Sequence, residues 1–387
     1  MFWNKSYKLL KSNKNHSLYK NNSKIKIFKY IILLISLFII ISILYNLTFH
    51  SSFIRFMAKQ RKSNNNCETD KINKNTVNKS IDNITDYNNK TYKLKSEKEK
   101  QFDYENNKFA ILTRNCSGCG FFSHYIVYLG CLLLYLNEGY IPIIELSSFP
   151  NVFNGFNISL SKNINPYELL FNQPFGYTLK EVNLKAKNIE RFSCKNYGPL
   201  LPNEKEIYKN QLTIDFYHYM AEKYMPIKQE ITEESNIIRK KLFGNSKNIL
   251  GILARGSDYF KMRPIGHSIP PKPEIIIQDV KKMNEKNKYD YFYLATEDYT
   301  IRNQFINEFG DKLKYYQNIT YEYKDGYIGE GENTKIHNIE FQKMYLLSLM
   351  ILSKCIDLIS ARCSGTAGAY ILSGGFRKSI VYFLGHY

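Results

Sequence analysis

No second CxxC motif and no HxxxH pair accompanies Cys116 and Cys119. A zinc centre needs further ligands at compatible spacing, so this lone CxxC excludes one. The seven cysteines, Cys67, Cys116, Cys119, Cys131, Cys194, Cys355 and Cys363, are odd in number and scattered, which is no disulfide framework. Cys116 and Cys119 are expected to be small apolar residues beside a loop, with a local disulfide as the alternative. No repeat period is apparent, so a repeat architecture has no support.

The part expected to fold also lacks a basic face. The chain of 387 residues has a net charge of +19. Residues 1–100 hold 20 Lys/Arg against 6 Asp/Glu, a net of +14, whereas residues 101–387 hold 34 against 29, a net of +5. The basic excess therefore sits in a tail and a stalk, which argues against nucleic acid as a partner. A hydrophobic fraction of 44% and an aromatic fraction of 15% belong to a folded protein with ample core.

Charge is absent from Ile31 to Phe49, which is mostly Ile, Leu and Phe. At ~1.5 Å per residue the run spans roughly the 30 Å hydrocarbon core of a bilayer. Tyr30, Tyr45 and Phe49 lie near its ends, where interfacial aromatics are favoured. The apolar region of a signal peptide is shorter and ends in small residues at a cleavage site, so an uncleaved anchor over residues 30–50 is expected. Residues 1–29 carry eight Lys and no acid, so the tail is expected in the cytoplasm. The protein is then a single-pass membrane protein, of the Golgi or secretory membranes in a eukaryote and of the cell membrane in a bacterium.

Residues 51–105 are rich in Asn, Lys, Ser and Asp and poor in large apolar residues. Such a segment buries too little surface to offset its ordering entropy and reads as a disordered stem. Sequons occur at Asn78, Asn83, Asn89, Asn115, Asn157 and Asn318, but chance sequons are expected in a chain this rich in Asn.

From Phe109 the pattern becomes that of a globular α/β domain. The run Phe109–Leu112 predicts a buried strand, Phe121–Asn137 a buried helix and Tyr140–Leu146 a second strand. Helical stretches follow at Pro166–Phe171 and Tyr208–Phe243. Asn248–Ala254, Tyr291–Ala295, Ile356–Ser360 and Ser379–Leu384 read as strands. Pro273–Asn287, Thr300–Phe309, Phe341–Lys354 and a segment opening at Gly368 read as the helices between them. Strands and helices alternate twice over, with a break near 160–245. Two Rossmann-like halves are expected, an N-terminal lobe over 106–245 and a C-terminal lobe over 246–387, facing a cleft.

Three candidate sites follow predicted strands of the C-terminal half. Arg255-Gly256-Ser257-Asp258 offers a fork for a diphosphate and a glycine that lets the backbone approach it. Thr296-Glu297-Asp298 offers carboxylates for ribose hydroxyls or a base; its plainer reading is a helix cap. Arg362-Cys363-Ser364-Gly365-Thr366 stands at a helix N-terminus, where free N–H groups and the dipole suit phosphate. The plainer readings of the first and third are a surface ion pair and ordinary turn chemistry.

These segments carry a resemblance. Leu250 to Tyr259 resembles the HxRxxD-type strand-loop of the α1,2-, α1,6- and protein O-fucosyltransferases. Tyr293 to Asp298 is similar to their ATDD-like strand end, and Asp357 to Thr366 to their last phosphate-binding strand-loop. Gly118 to Leu146 is similar to the glycine turn and helix that open their N-terminal half. The resemblance spans residues 108–387 and extends to glycosyltransferases of polysaccharide gene clusters. It implies a GT-B-like fold, an inverting transfer without a metal or other cofactor, and a GDP-linked nucleotide-sugar donor, with a glycan or glycoprotein as acceptor. Arg255 would bind the donor diphosphate, helped by Gly256, Arg362, Ser364, Gly365 and Thr366. Asp298, with Thr296 and Glu297, would contact the nucleoside, and Asp258 would orient Arg255 or the sugar. Gly118 and Gly120 fall on the acceptor side, and His267, in a turn near the Arg255 loop, either faces the acceptor or is structural.

Two features depart from the pattern. The motif histidine is replaced by Leu253 or Ala254. The acidic residue of the helix before the last strand has no counterpart; Met344 is near it and Glu340 one turn earlier. The general base is unassigned: Glu145 and Asp258 are candidates, and a weak or absent base would suit an oxocarbenium-like reaction. These departures keep a second class open, a catalytically degenerate domain that binds a glycan or partner.

Overall fold

The computed structural model describes residues 102–161, 164–194, 206–317 and 337–387, with the backbone alone at Ser257 and Asp258. The tail 1–29, the anchor 30–50 and nearly all of the stem 51–105 lie outside the described residues. Among those described, no helix is long and apolar enough to cross a membrane.

The fold is α/β with two parallel sheets. The first has strand order β2-β1-β3, from β1 (Lys108–Thr113), β2 (Ile141–Ile144) and β3 (Asn188–Ser193). Helix α1 (Phe121–Asn137) connects β1 to β2, and the short helices α2 (Tyr167–Leu170) and α3 (Leu179–Lys185) precede β3. Phe109, Ile111, Ile143 and Val182 close the core on one face of this sheet. β3 is not among the predicted strands: its sequence is polar and largely exposed, as an edge strand permits.

Two helices, α4 (Gln211–Tyr224) and α5 (Gln229–Phe243), then lead to the second sheet. The single helix predicted over 208–243 is thus broken, at a segment that contains Pro226. Proline disfavours helical backbone in the residue before it and has no N–H to give.

The second sheet comprises β4 (Ile249–Leu253), β5 (Tyr291–Ala295), β6 (Leu313–Tyr315), β7 (Asp357–Ala361) and β8 (Lys378–Tyr382), in the order β6-β5-β4-β7-β8. All four pairings are parallel. Helices α6 (Ser257–Met262), α7 (Pro273–Asn287), α8 (Tyr299–Phe309), α9 (Ile339–Leu352) and α10 (Ser364–Ser373) complete the unit. β4 and β7 are buried along their whole length, as a parallel sheet covered on both faces requires. α10 begins at Ser364, four residues before the predicted opening at Gly368.

Helix α10 is also where the two sheets' helices meet. A Cβ on Gly368 would stand 2.0 Å from the ring of Phe122, so only glycine lets α1 approach this closely. His218 Nδ1 of α4 lies 2.7 Å from the Ile371 carbonyl, and the Tyr208 hydroxyl donates to the Cys363 carbonyl at 3.3 Å.

At the amino end of β7, Asp357 is fully buried. It accepts a fork from Arg377 at 3.0 and 2.7 Å, the Lys378 N–H at 3.0 Å and the Tyr289 hydroxyl. Burial alone would raise this carboxyl, but the bonds from Arg377 and Tyr289 outweigh it and hold the pKa below the usual carboxylate value.

Cysteine behaves differently from the sequence expectation. Cys116 is bonded to Cys119, and Cys131 on α1 to Cys194 just past β3. The second pair is 63 residues apart in sequence, and only the packing of α1 beside the β1–β3 pair brings it together. Cys355 and Cys363 are free thiols.

Candidate functional site

The second sheet contains a reversal of direction. From β4 the chain steps outward to β5 and β6, then returns to β7 on the other side of β4 and continues to β8. Neighbouring connections therefore leave the carboxyl ends of β4 and β7 in opposite directions. Open parallel sheets bind ligands in the crevice such a reversal creates.

All three predicted segments emerge at that edge. Leu253 pairs with Ala295 on one side and Ser360 on the other. Two residues beyond this register the three segments carry Arg255, Glu297 and Arg362. Arg255 Nη1 lies 3.3 Å from Glu297 Oε2, both side chains being 20% exposed. The guanidinium also sits 4.4 Å from the centroid of the Tyr259 ring, within cation–π reach. Gly256 caps α6 in extended backbone. The side chain of Asp258 lies outside the described atoms.

Thr296 and Asp298 are buried and bonded to backbone. Asp298 Oδ1 accepts the Ile301 N–H at 3.0 Å and caps α8, while Thr296 Oγ1 accepts the Asp298 N–H at 3.2 Å. The capping reading of this triplet is realised, and it leaves Glu297 as the member that faces Arg255.

Cys363 is the N-cap of α10, in extended backbone and with no side-chain cap bond, so the first N–H groups of the helix are not spent within it. Thr366 Oγ1 donates to the Ala361 carbonyl at 2.5 Å, tying this turn to the strand end. What Thr366 can offer a ligand is its N–H. Arg362 leans the other way, with Nη1 3.4 Å from His386 Nε2 and its guanidinium 5.5 Å from the Phe383 ring.

His267 lies in an exposed turn, with Nδ1 2.9 Å from the Tyr259 hydroxyl. That turn is held by backbone bonds to the chain's last residues, Tyr387 N–H to the His267 carbonyl at 3.1 Å and Ile269 N–H to the Gly385 carbonyl at 3.0 Å. His267 thereby joins Arg255 through Tyr259.

Gly118 and Gly120 flank the Cys119 end of the disulfide turn, and Gly120 caps α1. Arg114, buried at the end of β1, donates to the Ser123 carbonyl at 2.7 Å and approaches Cys119 Sγ at 3.2 Å. Burial pulls its pKa down to about 10. Glu145, at the end of β2, has both oxygens engaged: Oε2 with Arg191 at 2.6 Å, Oε1 with Ser147 at 3.0 Å and Ser148 at 2.7 Å.

Two residues of the site were absent from the sequence reading. Tyr345 on α9 packs its ring edge-on to Phe121 and Phe122, at 6.1 and 5.9 Å between centroids. Its hydroxyl reaches the first turn of α10, 2.9 Å from where a Cβ on Gly365 would stand. Burial, and then the nearby Glu297, raise the phenol well above its ordinary pKa. His337 is buried between Phe156 and Phe341. Burial, reinforced by the charge of Arg255, lowers its pKa to about 4 and keeps the ring neutral. Neither residue carries a motif; a Tyr in an apolar helix reads as core, and a lone His as structure.

Among solved structures, this chain is similar to fucosyltransferases. The fucosyltransferase NodZ from Bradyrhizobium is 13% identical with a TM-score of 0.41, over 72% of this chain and 95% of NodZ. A mutant of Arabidopsis thaliana FUT1 in complex with GDP is 9% identical with a TM-score of 0.38, over 85% of this chain and 78% of the other. POFUT1 in complex with GDP-fucose is 12% identical with a TM-score of 0.40, over 73% of this chain and 99% of that one. No protein-family model and no curated protein matches the sequence.

Chemically, the edge offers one guanidinium, the amides of a helix start and a protonated phenol around the same point. All are donors, and together they suit an oxyanion. Among the described residues, no group of three His, Cys, Asp or Glu side chains is arranged to hold a metal ion.

Proposed function

We propose that this chain is an inverting, metal-independent glycosyltransferase of the GT-B type that transfers a sugar, fucose from GDP-fucose, to a glycan or glycoprotein hydroxyl. One observation carries the reading: Arg255 and the start of α10 stand side by side at the chain reversal between β4 and β7. The sequence resemblance of the same segments supports it.

In this reaction the bond between the anomeric carbon and the β-phosphate oxygen breaks, and its electron pair stays on the diphosphate. The acceptor oxygen forms the new bond from the opposite face, and its proton is released to water. Negative charge grows on the leaving diphosphate, so donors fixed beforehand at that point lower the barrier. Arg255 supplies charge, Glu297 and Tyr259 lie against it, and the N–H groups of Ser364, Gly365 and Thr366 supply the helix end. Asp298, capping α8, sets the wall against which the nucleoside would lie.

Residues 106–245 then form the acceptor lobe and 246–387 the donor lobe. A membrane anchor over 30–50 and a stem over 51–105 would hold both at a bilayer. Protease protection of the C-terminal domain in intact vesicles tests which side it faces.

Calorimetry tests the function. The full chain should bind GDP more tightly than UDP, and Arg255→Ala should abolish that binding. An intact chain that binds neither nucleotide would return the protein to the second class, a degenerate glycan- or partner-binding domain.

A further inference from the structure

We propose that the hydroxyl of Tyr345 is a binding and catalytic donor to the diphosphate of the nucleotide-sugar, an inference that rests on the transferase reading above. Three observations carry it.

The first is position. Tyr345 belongs to α9, outside the three strand-end segments, yet its hydroxyl arrives at the first turn of α10. A methyl at Gly365 would collide with it at 2.9 Å while sitting 3.5 Å from Leu253 of β4 and 3.6 Å from Cys363 Sγ. The phenol therefore points to the seam between β4 and α10, where Arg255 and the helix amides converge. Phe121 and Phe122 grip the ring from the α1 side and leave it little freedom to turn away.

The second is hydrogen bonding. The hydroxyls of Tyr128, Tyr293 and Tyr370, all in the core, are spent on protein acceptors. That of Tyr345 has no hydrogen-bond partner among the described residues. A half-buried hydroxyl normally finds an acceptor, and a diphosphate oxygen at this point would be one.

The third is protonation. Burial and the neighbouring Glu297 oppose ionisation of the phenol, so it keeps its proton and can only donate where an anion is concerned. A fixed neutral donor complements Arg255 without adding charge that Glu297 would have to balance.

The test is calorimetry on the full chain with GDP and with guanosine, for wild type and Tyr345→Phe. A hydrogen bond to a charged partner corresponds to about a tenfold or larger loss of affinity. Tyr345→Phe should weaken GDP by that factor, leave guanosine unchanged and keep the thermal midpoint of the wild type. Equal GDP affinity in wild type and variant overturns the inference while the transferase reading stands. Equal weakening of both ligands overturns it too, by making Tyr345 a packing residue. If wild type binds no GDP, the transferase reading falls and the role of Tyr345 with it. Should Tyr345→Phe fail to fold, Gly365→Ala probes the contact from the other side. Its methyl displaces the hydroxyl and should cost GDP, but not guanosine, the same factor; unchanged GDP affinity in that variant overturns the inference.

Discussion

Gly365 leaves open the space that the Tyr345 hydroxyl occupies: a Cβ there would stand 2.9 Å from that oxygen. The two residues are 20 positions apart in sequence and belong to different helices, α9 and α10. Their fit makes them energetically coupled. Gly365→Ala in the wild-type background is expected to cost about 1–2 kcal/mol through overpacking. The same change made with Tyr345→Phe, where the oxygen is gone, is expected to cost less. A double-mutant cycle on urea midpoints should show a coupling of about 0.5 kcal/mol or more.

Arg255 is expected to be irreplaceable by lysine. An ammonium keeps the charge but lacks the planar fork that can hold Glu297 and a diphosphate together. Loss of one preorganised donor at a developing anion costs about 10²–10³ in turnover. Arg255→Lys should fall by that order in kcat for transfer from GDP-fucose, with a thermal midpoint close to wild type.

The fully buried carboxylate of Asp357 anchors β7 through Arg377, Tyr289 and Lys378. Asp357→Ala would leave the buried Tyr289 hydroxyl without its acceptor while the half-exposed Arg377 returns to solvent, and a loss of about 1–3 kcal/mol is expected. Its pKa is depressed in the folded state, so its contribution is present above the unfolded value and is lost as pH falls through the folded one. Wild-type stability from this group should therefore decline below about pH 4. In the alanine variant that part of the acid slope should vanish from urea titrations.

Acid sensitivity should begin earlier, at the two buried histidines. Burial lowers His124 to about 3 and His337 to about 4. Between those values and the ordinary histidine pKa of about 6.5, the unfolded chain takes up protons that the folded chain refuses. Stability should thus fall as pH drops below about 6.5. His124→Phe, which keeps an aromatic between Tyr128 and Phe153, should flatten that slope.

The Cys131–Cys194 bond closes a long loop across the first sheet. Loop-closure entropy assigns such a link about 4 kcal/mol. Replacing both cysteines by serine should lower the urea midpoint accordingly, and dithiothreitol should lower the midpoint of that variant by less than it lowers the wild type's, since only the short Cys116–Cys119 loop is left to open.

Much of this architecture was legible in the sequence because parallel strands buried on both faces are written as short apolar runs. Phe109–Leu112, Asn248–Ala254 and Tyr291–Ala295 announced β1, β4 and β5 in that way. β3 carries Asn188, Glu190 and Arg191 at an exposed edge and has no such run to read. The break before α5 was written in Pro226, yet the apolar content on both sides masked it. At the site, the strand-end residues were legible because glycine and arginine follow apolar runs there. Which of them share an edge was not, since that depends on strand order: the Arg255 and Ser364 loops are neighbours only because β7 inserts beside β4. Tyr345 reaches the site through helix packing and His337 through the loop before α9, and the pairing of Cys131 with Cys194 likewise arises only from tertiary packing.

Strand β7 keeps its anchorage and its working end apart. The buried latch of Asp357 lies where the strand begins, and the loop that opens α10 lies where it finishes. Engineering can exploit that separation. Under the proposed function, libraries that randomise Arg362 and Ser364 would probe donor choice while leaving the latch untouched, so a change there need not come with a weakened scaffold.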